Sequence, residues 1–419
     1  MGKISDSLNQ SKRLITELYG EAKLREKIEE VILFGKDALD KTHMQIGKHL
    51  AETIMLVDRE EIAGEDHRPK KEGLYKWGSQ EGSVFIAGQK LKVRCPRLRD
   101  NGKEMVLPSH EKMKDPESFS DEMLSMALRG LSGRKYNETV VMISESFGVS
   151  PSSISKHLID STTRKLATFR ERNLSHFKAF AVFIDTVHRG GQAFVTALGV
   201  NTYGQKLFLG IWEGATENKE VVKSLFQDLE KRGLKLHDEI LFVTDGGSGL
   251  CAALKDRFGT RLLHQRCTIH KNRNIQRHLP KKYRDEAGRM FTDAISKDGY
   301  LEAKEALDKF REWLRGVNES AARSLDEAFD EILTLHRLGV NEILRRTLHS
   351  TNCIESVFST VRHCEKNLKR YHGSFMSQRW LASVALYAEE NLRTVSGYAH
   401  IPEVLERIRH MRNRQMQEA

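Results

Sequence analysis

Two short apolar runs, each stopping at an aspartate, restrict most what this chain can fold into. The first is AFAVFIDTVH, in which Asp185 closes the run; the second is EILFVTDGG, in which Asp245 does the same and two glycines follow. Both read as strands that end in a lone acid. Between them, QAFVTALGVN and QKLFLGIWEG read as two further strands, with Asn201 to Gly204 as the turn that joins them. A helix then carries Val221, Val222, Leu225, Phe226 and Leu229 at helical spacing.

The element order is three strands, helix, strand, helix, strand. Three antiparallel strands leading into alternating helices and strands predict an α/β protein whose core is a ribonuclease H-like mixed sheet with helices on its faces. A doubly wound nucleotide-binding fold competes, but it needs a G-x-G-x-x-G fingerprint after its first strand. Gly190-Gly191 lacks that spacing. At 419 residues and 39% apolar content the chain has material for two or three domains.

Ahead of this core the text is mainly helical. Residues 1–63 read as an amphipathic helical region suited to oligomerisation, with Leu14, Ile15, Leu18, Ile32, Leu33, Leu50, Ile54 and Leu56 set among Lys and Glu. Residues 64–118 read as a small basic β-hairpin region, with turns at Ala87-Gly88 and at Asp100-Asn101-Gly102-Lys103. Its Cys95 has no nearby ligand partner, so no zinc ribbon is expected there. Residues 119–175 contain YNETVVMISESFGVSPSSISKHLIDS. A helix, a Gly148 stop, then Ser150 as cap before Pro151 match a helix-turn-helix, with an ordinary helical hairpin as the alternative. In a DNA-binding domain of that kind the second helix would present Ser152, Ser153, Ser155, Lys156 and His157.

Neighbouring sheet strands lie about 4.8 Å apart, so Asp185 and Asp245 can converge. Two carboxylates sharing a site repel unless a divalent cation lies between them, and Mg2+ prefers such hard oxygen ligands. Glu355 is the candidate third acid, on a helix whose Ile354, Val357, Phe358 and Val361 form the buried stripe; Glu365 is its rival. Cys267-x2-His270 resembles half of a zinc site, yet no second ligand pair follows it. The pair is read as lining the active site, with a buried structural Cys and His as the alternative.

The segments FIDTVH, GATENKEVVKSLFQDLEKRGL, VTDGGSGLCAALKDRF, HQRCTIHKNRNI and TNCIESVFSTVR resemble, in that order, the transposases of the IS256 and Mutator-like group, over roughly Asp121 to Arg393. The resemblance implies that Asp185, Asp245 and Glu355 form the DDE metal-binding triad and that Cys267 and His270 form the C-x2-H signature. It implies two Mg2+ ions per site, for which Mn2+ can substitute, with Asp185 shared between them. It also implies a core formed by residues 176–275 and 347–395, interrupted by an α-helical insertion at 276–346. Residues 396–419 are left as a basic C-terminal tail. The expected activity is that of a DNA transposase that cuts at the inverted-repeat ends of its element and transfers the strand to target DNA. A catalytically inactive DNA-binding regulator and a ribonuclease H-like nuclease are the competing functions.

The 68 Lys and Arg against 58 Asp and Glu leave a net charge of +10, compatible with a polyanionic partner. Arg266, Lys271, Arg273 and Arg277, and then Arg362, Lys366, Lys369 and Arg370, cluster around the proposed chemistry where DNA phosphates would run. Trp313 is a candidate for stacking on an unpaired base, against core packing with Phe310 and Leu314. Holding two DNA ends calls for a homodimer or larger assembly. Five scattered cysteines point to a reducing compartment, and no apolar stretch reaches the ~18 residues of a membrane helix. The charged start MGKISDSLNQSKR has no apolar core behind it, so a cytoplasmic, nucleoid-associated protein without membrane contact is expected.

Overall fold

The structure is a computed structural model that describes residue 35 and residues 42–65, 68–86, 89–114, 116–131, 136–147, 149–189, 191–215, 218–365 and 373–417. The chain forms two compact units, Met1–Met123 with Val141–His157, and Leu124–Val140 with Leu158–Ala419.

In the first unit, helix α1 (residues 42–63) leads through a short ladder, β1 (Gly64–Glu65) with β2 (Arg68–Pro69), into an antiparallel sheet. That sheet runs in the order β3 (Leu74–Ile86), β4 (Gln89–Asp100), β5 (Lys103–Met105). Period-2 alternation gives the sheet one apolar face: Leu74, Val84, Val93 and Leu98 pack with Ala51, Met55 and Ala63. The β4–β5 hairpin turns at Asn101-Gly102, both at positive φ (49° and 80°), as the Asx-Gly pair predicts. Helix α2 (Pro108–Met113) follows and brings buried His110 Nε2 to 3.2 Å from buried Cys95 Sγ.

Three helices come next: α3 (Pro116–Leu131), α4 (Tyr136–Phe147) and α5 (Pro151–Glu171). Pro151 opens α5 at the position where a missing N–H costs nothing, and Ser150 Oγ accepts from Ser153 N at 3.3 Å. Gly148 lies outside the described residues.

The second unit is built on a five-stranded mixed sheet, with β6 (Ala179–Arg189), β7 (Gln192–Asn201), β8 (Lys206–Glu213), β9 (Leu241–Thr244) and β10 (Leu263–Arg266) in the order β10-β9-β6-β7-β8. The pairs β6–β7 and β7–β8 are antiparallel, while β6–β9 and β9–β10 are parallel. The α/β class read from the sequence is the class observed. Helices α6 (Lys219–Lys231) and α7 (Ser248–Phe258) supply Val222, Leu225, Leu229, Leu250 and Leu254 to a core shared with Val182, Ile184, Val195, Leu209 and Phe242. Asn218 caps α6, its Oδ1 accepting from Glu220 N at 3.0 Å.

After β10 the chain continues as α8 (Thr268–Arg277), α9 (Lys281–Ser296), α10 (Tyr300–Val317), α11 (Glu319–Asp326), α12 (Phe329–Ile332), α13 (Thr334–Arg337) and α14 (Glu342–Leu348). These helices hold a core of their own around Phe291, Leu307, Phe310, Leu314 and Leu325. Trp313 belongs to its margin, stacked on Phe310 (6.1 Å, 17°) and edge-on to Tyr283 (6.1 Å), so packing accounts for it. Helices α12 and α13 lie along edge strand β10. There the buried Gln265 side chain donates to Ile332 O (3.1 Å) and accepts from Leu335 N (3.2 Å), tying the helices to the strand, and Thr334 Oγ1 donates to His264 O (2.6 Å), satisfying a carbonyl of the edge strand.

The chain then returns to the sheet as α15 (Asn352–Glu365), packed on β6, and α16 (Ser374–Glu389), packed on β8, before α17 (Ile401–Gln417). Glu389 fixes α16: it accepts both Arg172 guanidinium nitrogens (2.8 and 2.7 Å) and Phe208 N (2.7 Å). Among the described residues no helix is long and apolar enough to cross a membrane.

Candidate active site

Strand register places the two aspartates. Ile184 pairs with Thr244 in the parallel β6–β9 ladder; Asp185 is the next residue on β6 and Asp245 the first after β9. Cys267 follows β10 at the same end of the sheet, its N donating to Thr244 O at 2.7 Å. Glu355 enters from the first turn of α15, on the helix that packs on β6. Asp185, Asp245, Glu355, Cys267 and His270 therefore gather where β9 and β10 end beside β6; β6 itself does not stop at Asp185, as the sequence suggested, but runs on to Arg189 because β7 keeps pairing with it, Asp185 opposite Thr196.

Asp185 is only 8% exposed and its Oδ1 accepts from Thr186 N at 2.8 Å. Burial, and then the charges of Asp245 and Glu355, push its carboxyl up to about 7, against the opposing Thr186 hydrogen bond and the His270 charge. Asp245 Oδ1 accepts from Gly247 N at 3.1 Å, which ties the acid to the turn that follows it. Glu355 is half-buried; its Oε1 accepts from Thr351 Oγ1 at 3.0 Å and lies 3.8 Å from His270 Nε2.

Thr351 is the residue that sequence reasoning missed. Fully buried, it bonds Glu355, gives its N–H and Oγ1 to Cys267 Sγ (both 3.4 Å) and lies 3.4 Å from His270 Nδ1. A threonine just ahead of a helix signals a cap and nothing more, so only the fold reveals this hub. The Cys267 hydrogen bond, opposed by burial and joined by the charges of Cys267, Asp185 and Glu355, raises His270 to about 9. The imidazolium thus stands as a fixed cation among the carboxylates. Burial raises the Cys267 thiol, but its bonds to His270 and Thr351 outweigh this and leave it lowered.

The turn after Asp245 requires glycine at one of its two positions. Gly246 has φ +94, and a Cβ there would lie 2.0 Å from the Arg266 guanidinium carbon. Gly247 has an ordinary φ of −50. Gly246→Ala is therefore expected to cost at least about 1–3 kcal/mol through backbone strain, and to displace Asp245 or Arg266 as well. Gly247→Ala should cost less, and paired thermal melts of the two variants measure the difference.

Two basic residues read as DNA contacts, Arg266 and Lys271, are not on the surface. Arg266 is 4% exposed and donates to Glu327 Oε1 (3.2 Å from both terminal nitrogens) and to Glu331 Oε2 (3.2 Å). Lys271 is 2% exposed and donates to Glu327 Oε2 (2.8 Å) and Ser324 O (2.9 Å). Their inward turn is a correction to the phosphate-contact reading: the insertion supplies carboxylates that neutralise both cations inside the fold. Glu331 also lies 3.5 Å from His264 Nδ1. Burial pushes Glu331 up, but the His264 hydrogen bond and the His264, Arg266 and Lys255 charges bring it down to about 2.

Arg273 and Arg277 on α8 and Arg362 on α15 are exposed, as are Ser152, Ser155 and Lys156 on α5. Ser153 is half-buried, and half-buried His157 has its Nδ1 3.0 Å from Ser120 Oγ. Lys366, Lys369 and Arg370 lie outside the described residues, as does the side chain of Glu365.

Among the described residues, no three His, Cys, Asp or Glu side chains are grouped closely enough to hold a metal ion as they stand. The fit to a divalent cation rests on donor chemistry. Three hard carboxylates lie at one site, and the most buried of them, Asp185, is pushed up to about 7 first by burial and then by the charges of Asp245 and Glu355.

Residues 20–394 match the family described as Transposase, Mutator family, and the chain belongs to that family. It is 24% identical over 391 residues to a transposase for insertion sequence element ISRM5 of Rhizobium meliloti, covering 90% of this chain and 94% of that one. It is 24% identical over 337 residues to the transposase for IS256 in transposon Tn4001 of Staphylococcus aureus, covering 77% and 82%. A 30% identical match to the transposase for IST2 of Acidithiobacillus ferrooxidans runs over 166 residues, 40% of this chain and 55% of that protein.

Proposed function

We propose that the chain is a DNA transposase that cuts phosphodiester bonds at the inverted-repeat ends of its element and joins them to target DNA. The observation that carries this reading is the side-by-side placement of Asp185 within β6 and Asp245 just past the end of β9, with Glu355 acting on the same site. The strand order and the helical insertion support a ribonuclease H-like core. The Pro151 start of α5, with Ser152, Ser155 and Lys156 exposed, supports a helix-turn-helix that reads DNA.

Asp185, Asp245 and Glu355 would hold Mg2+ or Mn2+, two ions per site, which when bound offset charge on the attacking and leaving oxygens of an in-line displacement. The protein's own part is positioning. Thr351 and His270 hold Glu355, Gly247 N holds Asp245, and Thr186 N holds Asp185. The His270 imidazolium, raised to about 9, keeps its charge at neutral pH and is placed to attract a scissile phosphate. Arg273 and Arg277, exposed on α8, would follow the DNA backbone. Holding two ends together calls for a homodimer or larger assembly.

The test is incubation of the purified chain with labelled DNA carrying the inverted repeats that flank its gene, in Mg2+ or Mn2+, beside Asp245→Ala. Nicking at the repeat ends by the native protein alone is the expected result. Specific binding without cleavage in either metal would replace the reading with a DNA-binding regulator. Cleavage without joining would leave a nuclease.

A further inference from the structure

The antiparallel sheet of the first unit has a second face, which no part of the catalytic reading uses. Its members follow from the register. Tyr75 pairs with Arg99, Glu81 with Arg94, Ser83 with Lys92 and Phe85 with Lys90, so these side chains share the face opposite Leu74, Val84, Val93 and Leu98. Trp77, two residues after Tyr75, joins them: the Arg99 guanidinium carbon lies 4.2 Å from its ring centroid. Lys90 Nζ lies 6.0 Å from the Phe85 centroid.

Two properties of this face are unusual together. Tyr75 and Trp77 remain 58% and 52% exposed, although both are large enough to bury readily in a core. Arg99 stands against Trp77 and opposite Tyr75, and Arg94, Lys92 and Lys90 continue the face along β4. Arg97 is engaged by Glu104 through two bonds (2.8 and 2.9 Å), and Glu104 also stands opposite Arg99; Glu81 stands opposite Arg94, while Lys90 and Lys92 stand opposite Phe85 and Ser83. Lysines and arginines alone would suit the phosphates of any duplex. Exposed rings interleaved with them suit a strand whose bases are free to stack, because every base has a π-face and its phosphates pass within reach of the cations. Tyr75 and Trp77 sit roughly 6.7 Å apart along β3, allowing each to take a separate base.

We propose that this face binds an unpaired DNA strand, with Trp77 and Tyr75 as the stacking platform, Arg99 holding the Trp77 ring in place, and Lys90, Lys92 and Arg94 along the backbone. A cut-and-join reaction at DNA ends makes such strands, but the binding itself does not depend on the carboxylate site.

The experiment uses the full chain in EDTA and reads the anisotropy of a fluorescein-labelled oligo(dT) of about 20 nucleotides, longer than a typical single-strand site, against a duplex of the same length. Trp77→Ala is expected to weaken oligo(dT) binding on the order of tenfold, with duplex binding within about twofold of the native protein. Trp77→Phe should restore most of the loss, because it keeps a ring. Lys92→Gln and Arg94→Gln should weaken both DNAs and each lower the salt dependence by about one counterion. Asp245→Ala should bind oligo(dT) like the native chain, so failure of the cleavage reading would leave this result intact. Trp77 and Tyr75 are exposed, so a matching melt for Trp77→Ala and Tyr75→Ala confirms that folding is kept. The proposal is overturned if the native chain does not bind oligo(dT), if both alanine variants bind it normally, or if they weaken duplex and single strand alike.

Discussion

Asp185→Asn should abolish strand cleavage while making the metal-free protein more stable above neutral pH. The two effects share one cause. In the folded chain the Asp185 carboxyl titrates near 7 instead of its ordinary 3.8, because it is buried and lies beside Asp245 and Glu355. Below about pH 4 the carboxyl is protonated in both the folded and the unfolded chain, and it adds no pH dependence. Between there and about pH 7 the unfolded carboxyl has lost its proton and the folded one has not, so stability falls as pH rises. Above 7 the full cost of a buried, repelled carboxylate is present, up to about 4 kcal/mol. Asparagine keeps the shape and the acceptor for Thr186 N and removes the charge. Its advantage in chemical denaturation should grow from pH 4 to pH 7, then level off. Mg2+ should narrow the gap by stabilising the native protein alone. Cleavage should fall on the order of a thousandfold or more, as when a preorganised electrostatic group is removed from an active site. A variant no more stable than the native chain at pH 8 would mean that Asp185 is not held among like charges.

The ends of the catalytic strands were legible because a buried strand announces itself. AFAVFI and ILFVT are continuous apolar runs, and the acid after the second does sit where its strand ends, whereas the strand carrying Asp185 continues to Arg189 with the acid buried inside it. The parallel pairing that brings those acids side by side is non-local, yet the three-strand, helix, strand order left few alternatives. The basic run around Cys267 was legible as charge and misleading as surface. Nothing within RLLHQRCTIHKNRNIQRHLPKK separates Arg266 and Lys271, which turn inward, from Arg273 and Arg277, which stay in solvent. The distinction is made by Glu327 and Glu331, more than fifty residues away in the insertion. Thr351 escaped for a similar reason: its three partners, Cys267, His270 and Glu355, lie on two helices and a strand end that meet only in the folded chain.

Glu327→Ala is expected to be the most damaging change in the insertion, although its own side chain is 58% exposed. One carboxylate of Glu327 serves two buried cations, Arg266 through Oε1 and Lys271 through Oε2. Arg266 keeps Glu331 after the change, but Lys271, at 2% exposure, is left with the Ser324 carbonyl. Leaving a buried ammonium without its counter-charge costs about 3–5 kcal/mol in general, and the exposure of Glu327 favours the lower end. For a unit of this size that corresponds to a fall of roughly 6–12 °C in Tm. Lys271→Met should cost less, because it removes the charge and leaves Glu327 to Arg266. Combining the two should cost less than the sum of the single changes, since the stranded ammonium is gone. High salt should leave the Glu327→Ala deficit largely intact, as a charge this deeply buried is poorly screened. Because Arg266 packs against Gly246, the same variant should also slow cleavage by loosening the Asp245 turn. A melt within about 1 °C of the native protein would show instead that water reaches Lys271 and that the insertion does not depend on this ion pair.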